Sequence, residues 1–281
     1  MKKKPLISFL LFSVLCVVNA QTPPDGYQLV FSDEFNKGTK PDTTVWNYEH
    51  GFVRNEEHQW YKPENAFIKK GKLIIEGRKE TIRNPKFNPD SKSWKHKREY
   101  ALYSSASINT AGKKTFLYGR FEIRAKIDTA MGLWPAIWTL GVDKRWPNCG
   151  EIDIMEYYPI NGEHHILANV LSVEGMHDKQ KWQSNKIHFN HFLEKDKHWP
   201  DKFHIWRMDW DKETIRIYLD DELINETLLS STFSKDGFNP FHQPHYILLN
   251  LALGGQNGGD LTHTRFPTRY CIDYVRVYQK R

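Results

Sequence analysis

The chain has 281 residues, 39% of them hydrophobic and 26% charged, with no long single-sign run. That length allows one or two domains, and the composition excludes intrinsic disorder, collagen-like and coiled-coil chains and multi-span membrane proteins. Ten Trp, 13 Tyr and 16 Phe make 14% aromatics, side chains whose flat apolar faces and polar edges suit sugar rings as well as cores.

Lys2, Lys3 and Lys4 precede an apolar run from Leu6 to Val18, and Val18-Asn19-Ala20 resembles a signal-peptidase site. Residues 1–20 are therefore expected to be an export signal cleaved after Ala20, giving a periplasmic or secreted protein with no membrane span. Cys16 raises a lipoprotein alternative, but Leu15 stands where a lipobox wants a small residue. Three of the 40 basic residues lie in this leader, so the remainder carries 37 against 34 acidic, a net charge of +3. Without a clustered Lys/Arg stripe, that mild bias excludes a nucleic-acid footprint. Cys149 and Cys271 remain after cleavage, as a bridge or as two thiols. The chain has no CxxC or HExxH spacing, so neither a structural zinc nor a zinc protease is indicated.

Beyond the lead-in Gln21–Gly26, short β signals alternate with turn residues. Phe67-Ile68 and Leu73–Ile75 flank a turn with Gly71, which predicts a hairpin. Arg83–Lys97 is polar and basic and predicts a surface loop. Phe121–Ile127 alternates apolar and charged residues as a half-buried strand does. Thr214–Leu219 and Leu223–Thr227 form a second hairpin around Asp220–Glu222; His245–Leu253 is a central strand, and Tyr270–Tyr278 closes the chain. No helix longer than about two turns and no repeat is evident. Many short strands predict one all-β domain over residues 21–281, a sandwich of two antiparallel sheets.

One segment carries chemistry: Glu151, Asp153 and Glu156 fall within six residues of a strand-like stretch. Residues two apart on a strand share a face, so Glu151 and Asp153 point together and a regular strand sends Glu156 the wrong way. A one-residue β-bulge at Ile154-Met155 restores the parity. Four effective steps of ~3.3 Å place the Glu151 and Glu156 backbones about 13 Å apart. Side chains leaning inward then reach the ~5–5.5 Å carboxyl spacing of a retaining glycosidase. Three crowded carboxylates cannot all ionise cheaply, so at least one is held protonated, as a general acid must be. Solvent-facing acids are the plain alternative for a Glu-x-Asp strand; here Trp134, Trp138 and Trp146 lie just upstream and weigh against it.

Gly150-Glu-Ile-Asp-Ile-Met-Glu156 resembles the catalytic segment of glycoside hydrolase family 16, in the branch with an extra residue, here Met155, that includes laminarinases, agarases, carrageenases and endo-β-galactosidases. Phe31–Phe35, Glu64-Asn65 with Gly71–Leu73, Tyr118–Lys126, Leu133–Trp138 and Asp273–Tyr278 resemble further landmarks in order. The resemblance implies a concanavalin-type β-jelly roll with a cleft across its concave sheet. It further implies Glu151 as nucleophile, Glu156 as acid/base and Asp153 as their modulator. Trp134, Trp138 and Asn65 match cleft positions, and His58 and Trp60 fall in the preceding cleft loop. No cofactor is implied for catalysis. Similar enzymes hold a structural calcium through an early-strand Glu and a late-strand Asp, positions filled here by Glu34 and Asp273.

The departure from the glucanase pattern follows the catalytic strand. Leu167-Ala-Asn169-Val-Leu-Ser172 stands where a small residue, Thr and then His are usual. Gly175–His191 is long and polar, and is expected as a loop walling the cleft. The implied activity is endo-hydrolysis of a β-1,3- or mixed β-1,3/1,4-glucan by a monomer. The alternative is an endo-β-galactosidase on poly-N-acetyllactosamine, mucin-type O-glycans or a galactan. A transglycosylase would share the covalent intermediate, and a lectin on the same fold would keep the aromatics and lose the acids.

Overall fold

A computed structural model describes residues 23–174 and 179–281. The expected signal at 1–20 lies outside the described residues.

Two sheets stack face to face, with strands numbered along the chain. One has seven strands in the order β12 (Lys179–His188), β11 (Glu163–Glu174), β10 (Glu151–Ile160), β9 (Leu133–Gly141), β16 (His245–Leu253), β7 (Ser107–Asn109) and β2 (Asn47–Tyr48). The other has ten. Its main path runs β15 (Glu222–Leu228), β14 (Thr214–Leu219), β13 (His204–Trp210), β8 (Gly119–Lys126), β17 (Thr268–Lys280), β5 (Leu73–Arg83), β6 (Tyr100–Ser105) and β3 (Gln59–Tyr61). There β1 (Tyr27–Asp33) joins β17, and β4 (Ala66–Ile68) joins β5. All these pairings are antiparallel except β3 with β6. The described helices are short: α1 (Trp94–Lys97), α2 (Asn190–Lys195) and α3 (Gly255–Gly258). None is long and apolar enough to cross a membrane.

The predicted hairpins, the strand at His245–Leu253 and the closing strand all form. The predicted loop at Arg83–Lys97 gains only the single turn α1 near its end. Alternation sets the layers. Phe121, Ile123 and Ala125 of β8 are fully buried while Arg120, Glu122 and Arg124 are not. They pack with Trp206 and Met208 of β13 and Val275 and Val277 of β17 against Ile152, Ile154, Tyr157, Ile166 and Val170 of the facing sheet. Each such apolar side chain contributes roughly 1.5–3 kcal/mol on burial. The outer face of the seven-stranded sheet bears a small separate cluster of Ala136, Trp138 and Leu248, with Leu140 and Tyr246 against it. That face carries the cleft.

Candidate active site

On β10 the bulge forms where the alternation of acids demands it. Asp153 pairs with Asn169 and Glu156 with Leu167, so Ile154 and Met155 together oppose Ala168 of β11. Both bulge residues are fully buried in the core, and the reset parity turns Glu151, Asp153 and Glu156 to the same cleft. Gly150 makes the entry to the strand: its φ is +74°, and a Cβ there would lie 2.6 Å from Pro240 Cβ, so a larger residue would push the strand from its place.

The cleft encloses about 730 Å³. Its floor is built in rows across the sheet. Leu171 and Leu140 flank Glu151, with Trp182 and Tyr246 beyond them; Asn169 and Trp138 flank Asp153, with Ser184 and Leu248 beyond; Leu167 and Ala136 flank Glu156, with Lys186 and Asn250 beyond. Trp134 Nε1 donates to Glu156 Oε1 at 2.8 Å, and Trp146 Nε1 donates to Glu151 Oε2 at 2.6 Å. Asn169 Nδ2 donates to Asp153 Oδ2 at 3.1 Å and to Glu156 Oε2 at 2.8 Å. Asp153, buried between them, shares hydrogen bonds with both glutamates.

Burial is the first cause of every shift here, because it disfavours the charged form. It pushes Glu156 up to about 7, with Glu151 adding repulsion and Trp134, Asp153 and Asn169 opposing. Asp153 lies well above the usual carboxylate range through burial and the charges of Glu156 and Glu151. Glu151 is raised by burial but held down by Trp146, Asp153 and the Arg54 charge. The arrangement offers Glu156 as a carboxyl that keeps its proton up to about 7, beside a Glu151 whose ionised form Trp146, Asp153 and the Arg54 charge favour.

Of the aromatic positions expected in the cleft, Trp134 and Trp138 line it. Trp138 is tied down by its Nε1 hydrogen bond to Asn250 Oδ1, 2.7 Å, and the Arg54 guanidinium covers its ring at 5.1 Å. Three expectations are corrected. Trp60 packs edge-on against Phe52 at 5.4 Å rather than lining the cleft. His58 lies beneath Gly254, outside the lining. Asn65 is fully buried beside β5 and β6, donating to Glu76 O and Ser104 Oγ at 2.7 and 2.9 Å, and serves the sheet. The segment Gly175–His191, expected as a loop, is corrected in form only: residues 175–178 lie outside the described residues, and Lys179–His188 is the edge strand β12, whose Trp182, Ser184 and Lys186 line the cleft. Trp146 and Asn169, not given roles by the sequence, complete the site. Asn169 was visible only as one residue of the departure at Leu167–Ser172, and Trp146 only as a nearby aromatic.

The calcium expectation does not fit these residues. Both Glu34 oxygens accept from Arg276 at 2.7–2.8 Å. Asp273 is held by Arg124 at 2.6 Å and Lys72 at 3.2 Å. Fixed cations already neutralise both carboxylates, and the described residues hold no group of three or more His, Cys, Asp or Glu suited to a metal. Cys149 and Cys271 are both free thiols.

Residues 55–276 match the model for glycosyl hydrolases family 16. The chain is 35% identical over 272 residues to a beta-glucanase of Rhodothermus marinus, covering 90% of this chain and 85% of that protein. It is 32% identical over 296 residues to glucan endo-1,3-beta-glucosidase A1 of Niallia circulans, covering 94% of this chain but spanning only 40% of that protein. A solved structure from work on endo-acting O-glycanases, with which prominent members of the human gut microbiota initiate mucin breakdown, superposes with TM-score 0.83 at 32% identity, covering 92% and 93% of the two chains. LamAcat from Zobellia galactanivorans gives 0.72, also at 32% identity, over 89% and 97%. With the match spanning most of the chain and the bulged carboxylate strand in place, the chain belongs to glycosyl hydrolases family 16.

Proposed function

We propose that the chain is an exported, monomeric endo-acting enzyme that hydrolyses internal β-glycosidic bonds with retention of configuration. The observation that carries this reading is the bulge that gathers Glu151, Asp153 and Glu156 on one cleft face, where burial holds the proton on Glu156 up to about 7. In the first step Glu151 attacks the anomeric carbon, the glycosidic C–O bond breaks, and Glu156 gives its proton to the departing oxygen. In the second, water bonds to the anomeric carbon, its proton passes to Glu156, and the bond to Glu151 breaks. Asp153 tunes both glutamates from between them. The leader at residues 1–20 supports export.

The named relatives favour a β-1,3- or mixed β-1,3/1,4-glucan as substrate. A specific observation favours a second reading, an endo-β-galactosidase on mucin-type or poly-N-acetyllactosamine glycans. At equal sequence identity, the backbone follows the O-glycanase structure, at 0.83, more closely than the Zobellia structure, at 0.72. Incubation with laminarin, barley glucan, agarose and mucin glycans, followed by product sizing, decides between them. The glucan reading expects oligosaccharides from laminarin or barley glucan, and the second expects them from mucin glycans alone. Products longer than the substrate would indicate transglycosylation. Binding with no cleavage of any of the four would overturn the hydrolase reading.

A further inference from the structure

Asn169 is a neutral side chain set among three acids, and it is 4% exposed. Its two amide hydrogens are divided between Asp153 and Glu156. With Trp134 on Oε1 and Asn169 on Oε2, both oxygens of Glu156 accept N–H donors in the free enzyme. Such donors stabilise a carboxylate more than a carboxylic acid. The amide oxygen of Asn169 meanwhile is buried without a hydrogen-bond partner. That arrangement costs stability, and a residue kept for packing alone has no reason to carry it.

The double displacement proposed above needs Glu156 in two states, as an acid first and as a carboxylate when water attacks. Donors to both of its oxygens favour the second state and oppose the first. Trp134 is also a wall of the cleft, whereas Asn169 reaches the reaction only through the carboxyls it touches. We propose that Asn169 is a positioning residue for the hydrolytic half of the reaction. It holds Glu156 oriented and charged while water, giving its proton to Glu156, displaces the sugar from Glu151. The inference rests on the retaining reading of the site.

The titratable and charged groups that line the cleft around Glu156 are Glu151, Asp153 and Tyr158 on its own strand, Lys186 on β12, Tyr246 on β16, and Glu49, Arg54 and Glu57 from the segment before β3. β9 presents Trp134 and α3 presents Asn257, neither titratable. Replacing Asn169 removes none of these groups, so a change in pH dependence reports the lost donor. The test compares Asn169→Ala and Asn169→Leu, the second keeping most of the volume, with Asn169→His, which restores a donor. The probe is the 2,4-dinitrophenyl β-glycoside of a laminari-oligosaccharide or of N-acetyllactosamine, whichever the glycan panel selects. Its leaving group needs no proton, so the second step limits turnover.

Loss of the donor should lower kcat by about tenfold or more, the scale of one hydrogen bond to a charged group, with kcat/KM for this probe changed far less. The glycosyl-enzyme should accumulate in intact-protein mass spectra, and azide, a nucleophile needing no base, should restore kcat. On polysaccharide, the alkaline limb of kcat/KM should move upward, and Asn169→His should recover wild-type behaviour. Equal losses in kcat and kcat/KM, with no adduct and an unmoved alkaline limb, would overturn the proposal. Wild-type turnover by Glu151→Gln would instead overturn the retaining reading beneath it.

Discussion

Glu151 and Glu156 stand on one strand of one cleft yet meet different surroundings. Glu151 keeps the exposed Trp146 indole and the Arg54 charge near it, while Glu156 is enclosed and feels the repulsion of Glu151. Glu151→Gln keeps the shape and removes the nucleophile, so turnover should fall by several orders of magnitude while oligosaccharide binding by calorimetry persists. Glu156→Ala should retain activity on aryl glycosides whose leaving group needs no proton; if both variants lose such substrates alike, the division of roles is wrong. The Glu156 value near 7 also fixes a pH dependence. Free enzyme must hold this proton to start the reaction, so kcat/KM should decline above an apparent pKa of about 7, a property of the coupled carboxyls together. Stability has its own sign. The unfolded chain releases the proton at the ordinary 4.5 and the folded chain only at about 7, so this group destabilises the fold increasingly as pH rises between those values. Full expression amounts to about 3 kcal/mol. Glu156→Gln should therefore melt above wild type at pH 8 and level with it at pH 4; a uniform difference at both would refute the assignment. The acids themselves were legible from residue type and spacing. Trp146 was not, because its hydrogen bond to Glu151 depends on the path of the turn at Pro147–Gly150.

The catalytic strand owes its usefulness to one extra residue. Ile154 and Met155 oppose the single Ala168, which lets Glu156 face the cleft while both bulge side chains stay in the core. Deleting Met155 would leave Glu-Ile-Asp-Ile-Glu in strict alternation, with all three acids still on one face. Deleting Ile152 would instead make Glu and Asp adjacent and send them to opposite faces. Both deletions disturb the core, yet only the first should keep measurable polysaccharide cleavage, by a margin of about 100-fold or more. Equal activity in the two would show that parity does not organise the site. The bulge was readable because two acids and their apolar neighbours set the parity on one side and a third acid broke it. β12 was not readable. Lys179–His188 is an edge strand with scarcely any buried side chain, so it has no apolar alternation to announce it. Its cleft-facing Trp182, Ser184 and Lys186 emerge only from pairing with β11.

At the scale of the molecule, the sandwich separates the tryptophans into two populations that sequence alone mixes. Trp206 is fully buried between the sheets, whereas Trp182 is 42% exposed at the cleft edge. Trp206→Ala should cost about 3–5 kcal/mol of stability. Trp182→Ala should leave the melting temperature nearly unchanged and weaken oligosaccharide binding by about 1–3 kcal/mol, the scale of a buried aromatic contact. Similar melting losses in both would remove Trp182 from the cleft. The layers and most strands were legible because alternation is local. The places of Asn65, His58 and Trp60 were not, since which side of a strand or turn faces the cleft depends on pairing with β5, β6 and β16, distant in the chain. Double displacement requires the Glu151 and Glu156 carboxyl groups to lie close enough to act on one anomeric carbon. Proton NMR of the first product released from a susceptible glycan tests it most directly. The β anomer should appear first and then equilibrate; an α anomer appearing first would mean direct attack by water and would contradict the assigned roles of Glu151 and Glu156.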